Sequence, residues 1–112
     1  MILESPYSGA TPEEVARNVR YARACLRDSL LRGEAPLASH LLYTQEGVLD
    51  DAEPEERAKG IAAGLAWGVA ARETVAYCDL GLSAGMQQGI ARALAEGRRV
   101  DYRHLGGGWG VE

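Results

Sequence analysis

The stretch Tyr77-Cys78-Asp79-Leu80-Gly81-Leu82-Ser83-Ala84-Gly85-Met86-Gln87-Gln88-Gly89-Ile90 decides the fold. The apolar segment from Glu73 to Cys78 reads as a buried strand, and it ends on the Asp79 carboxylate. A turn containing Gly81 and Gly85 follows, with Ser83 placed to cap a helix whose apolar positions are Met86, Ile90 and Leu94. Strand, polar glycine-rich turn and helix N-terminus together form the arrangement by which α/β proteins hold small anionic or sugar-bearing ligands. First-turn N–H groups and the positive end of the helix dipole face whatever sits in the turn. A well-capped strand-to-helix turn with no ligand has the same pattern, so both readings stand at this point.

Outward from that run, the chain alternates strands and helices. Met1 to Leu3 reads as a first strand running into the turn Glu4-Ser5-Pro6-Tyr7-Ser8-Gly9. Thr11-Pro12-Glu13-Glu14 is a capping box with proline at the favoured first position. Val15, Val19, Ala22, Leu26 and Leu30 follow at helical spacing until Gly33. Ala35 to Ser39 reads as a second strand, with Pro36 at its start, where a missing N–H does least harm. Acidic residues from Asp50 to Glu56 open a second long helix carrying Ile61, Leu65 and Val69. The third strand spans Thr74 to Cys78, the third helix Ser83 to Glu96, and the fourth strand Arg99 to Arg103. The order βαβαβαβ predicts a parallel sheet of about four strands covered on both faces, a doubly wound, Rossmann-like or flavodoxin-like α/β domain over residues 1–105. Residues 106–112 read as a flexible Gly-rich tail. With the first strand between the second and third, the ligand crevice opens where the Glu4–Gly9 and Asp79–Gly85 loops meet.

Composition narrows the function classes. At 112 residues the chain has room for one domain and one core. With 46% hydrophobic and 25% charged residues it reads as an ordinary globular protein. A net charge of −4, with acidic residues spread along the chain, argues against direct nucleic-acid binding, which needs a basic face. No apolar run is long enough for a membrane span. Cys25 and Cys78 lack metal-ligand spacing and read as small core residues of a cytoplasmic protein. No Walker A sequence, GxGxxG fingerprint, Cys/His cluster or Ser-His-Asp set can be composed, so neither cofactor nor metal is expected.

Gly60, Gly64 and Gly68 recur at four-residue steps on the second long helix, each costing a soluble helix about 1 kcal/mol against alanine. Something approaches that face closely. Tight packing on the sheet and a helix from a second copy both account for it. The second case, with Trp67 beside the stripe as an anchor, predicts a homo-oligomer, a dimer or larger.

The two loops resemble those of the nucleoside 2-deoxyribosyltransferases and their small phage and bacterial relatives. Ser5-Pro6-Tyr7-Ser8-Gly9 is similar to the Gly-Pro-Tyr or Gly-Pro-Phe turn of that family. Asp79 to Met86, followed by Ala93 to Val100, is similar to its Ser-x-Gly helix start and next strand. Pro36-Leu37-Ala38-Ser39-His40 is similar to its segment at the end of the second strand. The resemblance runs over most of residues 1–105 and is nearest to the short branch often encoded in phage genomes. It implies a nucleoside or nucleotide ligand and a pocket that a partner subunit often completes. It also implies a Glu nucleophile on the third helix, held by a Tyr from the first strand. The chain departs at both places, with Gly89 where the nucleophile would stand and Ile2 or a neighbour where the Tyr would stand.

The ligand-binding candidates are therefore Ser5, Pro6, Tyr7, His40, Asp79, Ser83, Gly85, Met86 and Gly89. Tyr7 can stack on a base or sugar, or pack over its own loop. His40 can act as an acid/base or phosphate partner, or as a structural hydrogen-bonder, and Gln87 and Gln88 can read a base edge or face water. Glu4 and Asp79 are the two weak catalytic candidates, since both end strands at the crevice. Asp79 can equally close an Asx turn onto Gly81 or Leu82. The leading expectation is a nucleoside- or nucleotide-binding protein lacking the usual Glu nucleophile and sequestering its ligand. The alternatives are an N-glycosidic-bond hydrolase or deoxyribosyltransferase using Glu4 or Asp79, and a non-catalytic protein-interaction module.

Overall fold

Thr74, Val75, Ala76 and Tyr77 are all buried, and this run, dry on both sides, is the middle strand of the sheet. The computed structural model describes residues 1–109. In chain order the elements are β1 (Ile2–Glu4), α1 (Pro12–Leu31), α2 (Ser39–Leu42), α3 (Pro54–Ala66), a 3₁₀ turn (Trp67–Ala70), β2 (Glu73–Tyr77), α4 (Ala84–Ala95) and β3 (Arg99–Arg103). The sheet runs β1-β2-β3, parallel throughout, with Leu3 opposite Val75 and Val75 opposite Asp101.

The sheet has three strands rather than about four. Residues 35–39 lie on the outer side of β1, where Leu37 accepts from the Leu3 N–H at 2.9 Å and donates to the Met1 carbonyl at 2.9 Å. That is a single bridge, Ile2 to Leu37. Pro36 has no N–H to extend it, and the chain turns into α2 at Ser39.

Strand alternation sends side chains to two faces. Leu3, Val75 and Tyr77 pack with Tyr21 and Cys25 of α1, while Ala76 packs with Met86 and Ile90 of α4. One helix therefore covers each face. Thr11 caps α1 by accepting from the Glu14 N–H at 3.2 Å, and the Glu14 carboxylate accepts from the Ala10 N–H at 3.0 Å. The buried stripe of α1 is Asn18, Tyr21, Ala22, Cys25 and Ser29, out of phase with the expected Val15–Leu30 series, and Leu30 and Leu31 are exposed. The polar members of the stripe are satisfied inside: Asn18 donates to the Tyr7 carbonyl at 2.9 Å, and Ser29 donates to Glu34 at 2.8 Å. Likewise Val69 and Leu94 point out, and Ala93 takes the buried place on α4.

The glycine stripe packs within the chain, and not on the sheet. A methyl group at Gly60 would meet Leu49 at 3.3 Å, one at Gly64 would meet the Ser39 Cβ at 3.0 Å, and one at Gly68 would meet the Arg98 guanidinium carbon at 2.7 Å. Leu49, helix α2 and the α4–β3 turn occupy the face for which the sequence left open the sheet or a helix from a second copy. Trp67 donates its indole N–H to the Tyr43 hydroxyl at 2.6 Å. The tail also differs from expectation. Leu105 and Trp109 pack against the α1-side core, with Trp109 edge-on to Tyr21 at 4.8 Å. The rest of the expected flexible segment, residues 110–112, lies outside the described residues. No described helix is long and apolar enough to cross a membrane.

Candidate functional site

The polar ends of β1, α2 and α4 meet on the α4 side of the sheet and enclose a cleft of about 130 Å³. The end of β1 contributes Glu4, the turn after it Ser5, Tyr7 and Ser8, and α2 contributes Ser39 and His40. Helix α4 contributes Ser83, Gly85, Met86, Gln88 and Gly89. Each wall is held in place by local rules. Ser83 caps α4 by accepting from the Met86 N–H at 3.2 Å, which leaves the helix start facing the cleft. Helix α2 can lie against α3 because Gly64 has no side chain to meet Ser39.

The Ser5 hydroxyl and His40 Nε2 are 2.7 Å apart. Burial pushes His40 down to about 4, so its ring is neutral at neutral pH, and the ring tautomer sets which of Ser5 and His40 donates in their hydrogen bond. Glu4 moves the other way. Burial raises its carboxyl to about 7, and Arg98 offsets this only in part. The ordinary order of the two groups is inverted, so near pH 6 the cleft holds a neutral acid and a neutral base.

Gly89 explains how Glu4 is accommodated. A β-carbon on Gly89 would overlap the Glu4 carboxylate, lying 2.6 Å from its carboxyl carbon. The helix position that carries no carboxylate is thus filled by a carboxylate from the neighbouring strand.

Of the sequence-predicted residues, Ser5, Tyr7, His40, Ser83, Gly85, Met86 and Gly89 line this cleft together with Glu4. Pro6 is buried in the turn and does not line it. Asp79 is not a lining residue either, nor does it close an Asx turn. It accepts from the Tyr21 hydroxyl at 2.5 Å, the Leu105 N–H at 2.9 Å and the Gly106 N–H at 3.0 Å. Burial works to raise Asp79, but the donors outweigh it and hold the carboxyl below the usual range. Asp79 fastens the tail across the end of α1. Several cleft groups escaped the sequence reading, among them Arg98, Ser39, Tyr43, Thr44 and Arg57. The glycines at 64 and 68 signalled a close approach, but nothing local named the residues that make it.

No curated protein matches the chain, and no solved structure matches it. The model of one family matches residues 1–103, from the first strand to the last residue of β3. The chain belongs to that family, described as a domain of unknown function (DUF7768).

Proposed function

We propose that the cleft binds a nucleoside or nucleotide, and that the sheet with its two covering helices is a small version of the doubly wound deoxyribosyltransferase-like fold. The observation that carries this reading is the convergence of three separate segments on one cleft. The turn after β1, the start of α2 and the start of α4 are the segments that carry the sequence resemblance. Their chemistry suits such a ligand. Ser5, Ser39, Thr44 and Ser83 offer hydroxyls to a sugar, and the Tyr7 and Tyr43 rings offer flat faces to a base. The capped start of α4 favours a phosphate or another anion. Asp79, engaged with the tail, drops out of the enzymatic alternative and leaves Glu4 as its only candidate. The proposed homo-oligomer loses its argument from the glycine stripe, which this chain covers itself.

A ligand that binds only the folded state raises the melting temperature by mass action. Thermal melts with a panel of nucleosides and their 5′-phosphates should show a rise for at least one member, lost in Tyr7→Ala and Ser83→Ala. A panel with no rise above scatter would remove this reading and favour the interaction module.

A further inference from the structure

Thr74 Oγ1 and Arg98 Nε are buried without a hydrogen-bond partner among the described residues. Thr74 sits in the middle strand and does not line the cleft, whereas Arg98 does. The Arg98 side chain is only 10% exposed. Gly68 covers one face of its guanidinium, since a β-carbon there would meet Nη1 and Nη2 at 2.6 Å and Cζ at 2.7 Å. Nη1 donates to the Glu96 carboxylate, and Nη2 has no hydrogen-bond partner among the described residues. The Nε and Nη2 edge of a guanidinium is a planar two-donor fork that meets two oxygens side by side, and in Arg98 this is the edge left over. Charge is left over as well. Glu96 also accepts from Arg92 Nε at 2.9 Å, so one carboxylate answers two guanidinium groups. A buried cation with an open fork is costly until an anion completes it.

We propose that Arg98 forms a phosphoryl-binding subsite of the cleft, in which Nε and Nη2 together hold two oxygens of the ligand's phosphoryl group. The subsite lies beyond the far end of α4 and is separate from the start of that helix. The inference rests on the nucleotide reading above for its choice of a phosphoryl group, since a fork of this kind accepts a carboxylate as well. The fork and its leftover charge do not depend on that reading. Gly68 is a positioning residue. It touches no ligand atom and acts by letting the guanidinium lie against the backbone.

Glu4 decides the pH at which the subsite is open. It forms no ion pair with Arg98 among the described residues, and burial raises its carboxyl to about 7 against the pull of the Arg98 charge. Below that pH a neutral Glu4 leaves the guanidinium charge to the ligand. Above it an ionised Glu4 competes for Arg98 and repels a phosphoryl group. The other charged groups of the cleft are His40 from α2, and Asp51, Glu56 and Arg57 from the start of α3 and the segment before it. The phenols of Tyr7 and Tyr43 line it as well. Burial pushes His40 down to about 4, so it stays neutral across the window in which Glu4 loses its proton.

The test titrates the full chain by calorimetry with inorganic phosphate, acetate, nucleosides and nucleoside 5′-monophosphates, and ligand-free melts show that each variant is folded. The expected result is binding of the phosphate-bearing probes by the wild-type protein that weakens as pH rises through about 7. Arg98→Lys keeps the charge but removes the fork, and Gly68→Ala drives a methyl group into the guanidinium. Each should weaken phosphate binding about tenfold or more. Glu4→Gln should keep the binding and lose its fall above pH 7. A 5′-monophosphate that binds more tightly than inorganic phosphate upholds the subsite and identifies a phosphate ester as its occupant. Inorganic phosphate that binds as tightly as any nucleotide, with nucleosides inert, upholds the subsite and removes the nucleotide reading. Phosphate affinity in Arg98→Lys within about threefold of wild type would overturn the proposal, as would acetate binding more tightly than phosphate. Nucleosides that bind as tightly as their monophosphates, with inorganic phosphate inert, would overturn it too and leave the binding reading standing. No binding of any probe would remove both together.

Discussion

At the scale of single residues, the cleft sets two ionisable groups against each other. Glu4 has a folded-state pKa of about 7 against an ordinary 4.5. Its contribution to stability is therefore complete below pH 4.5 and is lost as the pH rises to about 7. The full shift corresponds to a loss on the order of 3 kcal/mol. His40 is displaced downward, from 6.5 to about 4, so its contribution is complete above pH 6.5 and is lost as the pH falls toward 4. Between pH 4.5 and 6.5 the two slopes oppose each other. Glu4→Gln should remove one of them, raising stability at pH 8 by roughly 1–3 kcal/mol and changing it little at pH 5. Urea denaturation of both proteins at the two pH values measures this, and equal stabilities at pH 8 would contradict the burial of the Glu4 carboxyl. Asp79 belongs to a different device. Asp79→Ala strands the buried Tyr21 hydroxyl and frees the Leu105 and Gly106 N–H groups, so it should cost about 2–3 kcal/mol and loosen Trp109. Tryptophan fluorescence and denaturation report both effects. Any ligand-induced melting shift should survive the substitution, the reverse of what a crevice residue would give.

At the scale of elements, the sharpest test of packing is the α2–α3 contact. Gly64→Ala gains about 1 kcal/mol of helix propensity but drives a methyl group into Ser39. A net loss of about 1–2 kcal/mol is expected, with the sedimentation coefficient unchanged. A change in assembly state instead would return the glycine stripe to a subunit interface. The edge of the sheet offers a second measurement. Arg103 of β3 grips Glu34 with both terminal nitrogens, at 2.7 and 2.6 Å, and also donates to the Tyr77 hydroxyl at 3.1 Å. Tyr77 in turn donates to Asp28 at 2.7 Å, which ties β3 and β2 to α1 and the turn beyond it. The Arg103 hydrogen bonds lead the causes that hold Glu34 down at about 2. Glu34 therefore contributes stability above pH 4.5 that is lost as the pH falls through about 2. Arg103→Ala should cost about 2 kcal/mol at pH 7 and much less at pH 2, as followed by chemical denaturation.

At the scale of the whole molecule, what could be read locally was read, and what depended on partners far along the chain was not. The capping residues Thr11 and Ser83, the strand at 74–77 and the helix starts at Pro12 and Pro54 rest on interactions within about one turn, so the sequence contains both sides of each. The parallel arrangement of the strands followed from the helices between them, since a crossover of that length returns the chain in the same direction. The cleft was legible in outline because the turns that line it are the most polar, Ser- and Gly-rich turns of the chain. The buried face of α1 was not legible, because Asn18 and Ser29 are polar in sequence and become core residues only once the Tyr7 carbonyl and Glu34 arrive to satisfy them. The failed fourth strand, the tail docked on Asp79 and Tyr21, and Arg98 against Gly68 have the same cause, each contact joining residues more than about one turn apart. Gly89 is the clearest instance. By itself the sequence determined that the helix has no carboxylate there. Only the tertiary structure decided that the space is filled by Glu4 from β1, because burial and steric exclusion act between elements that meet only after folding.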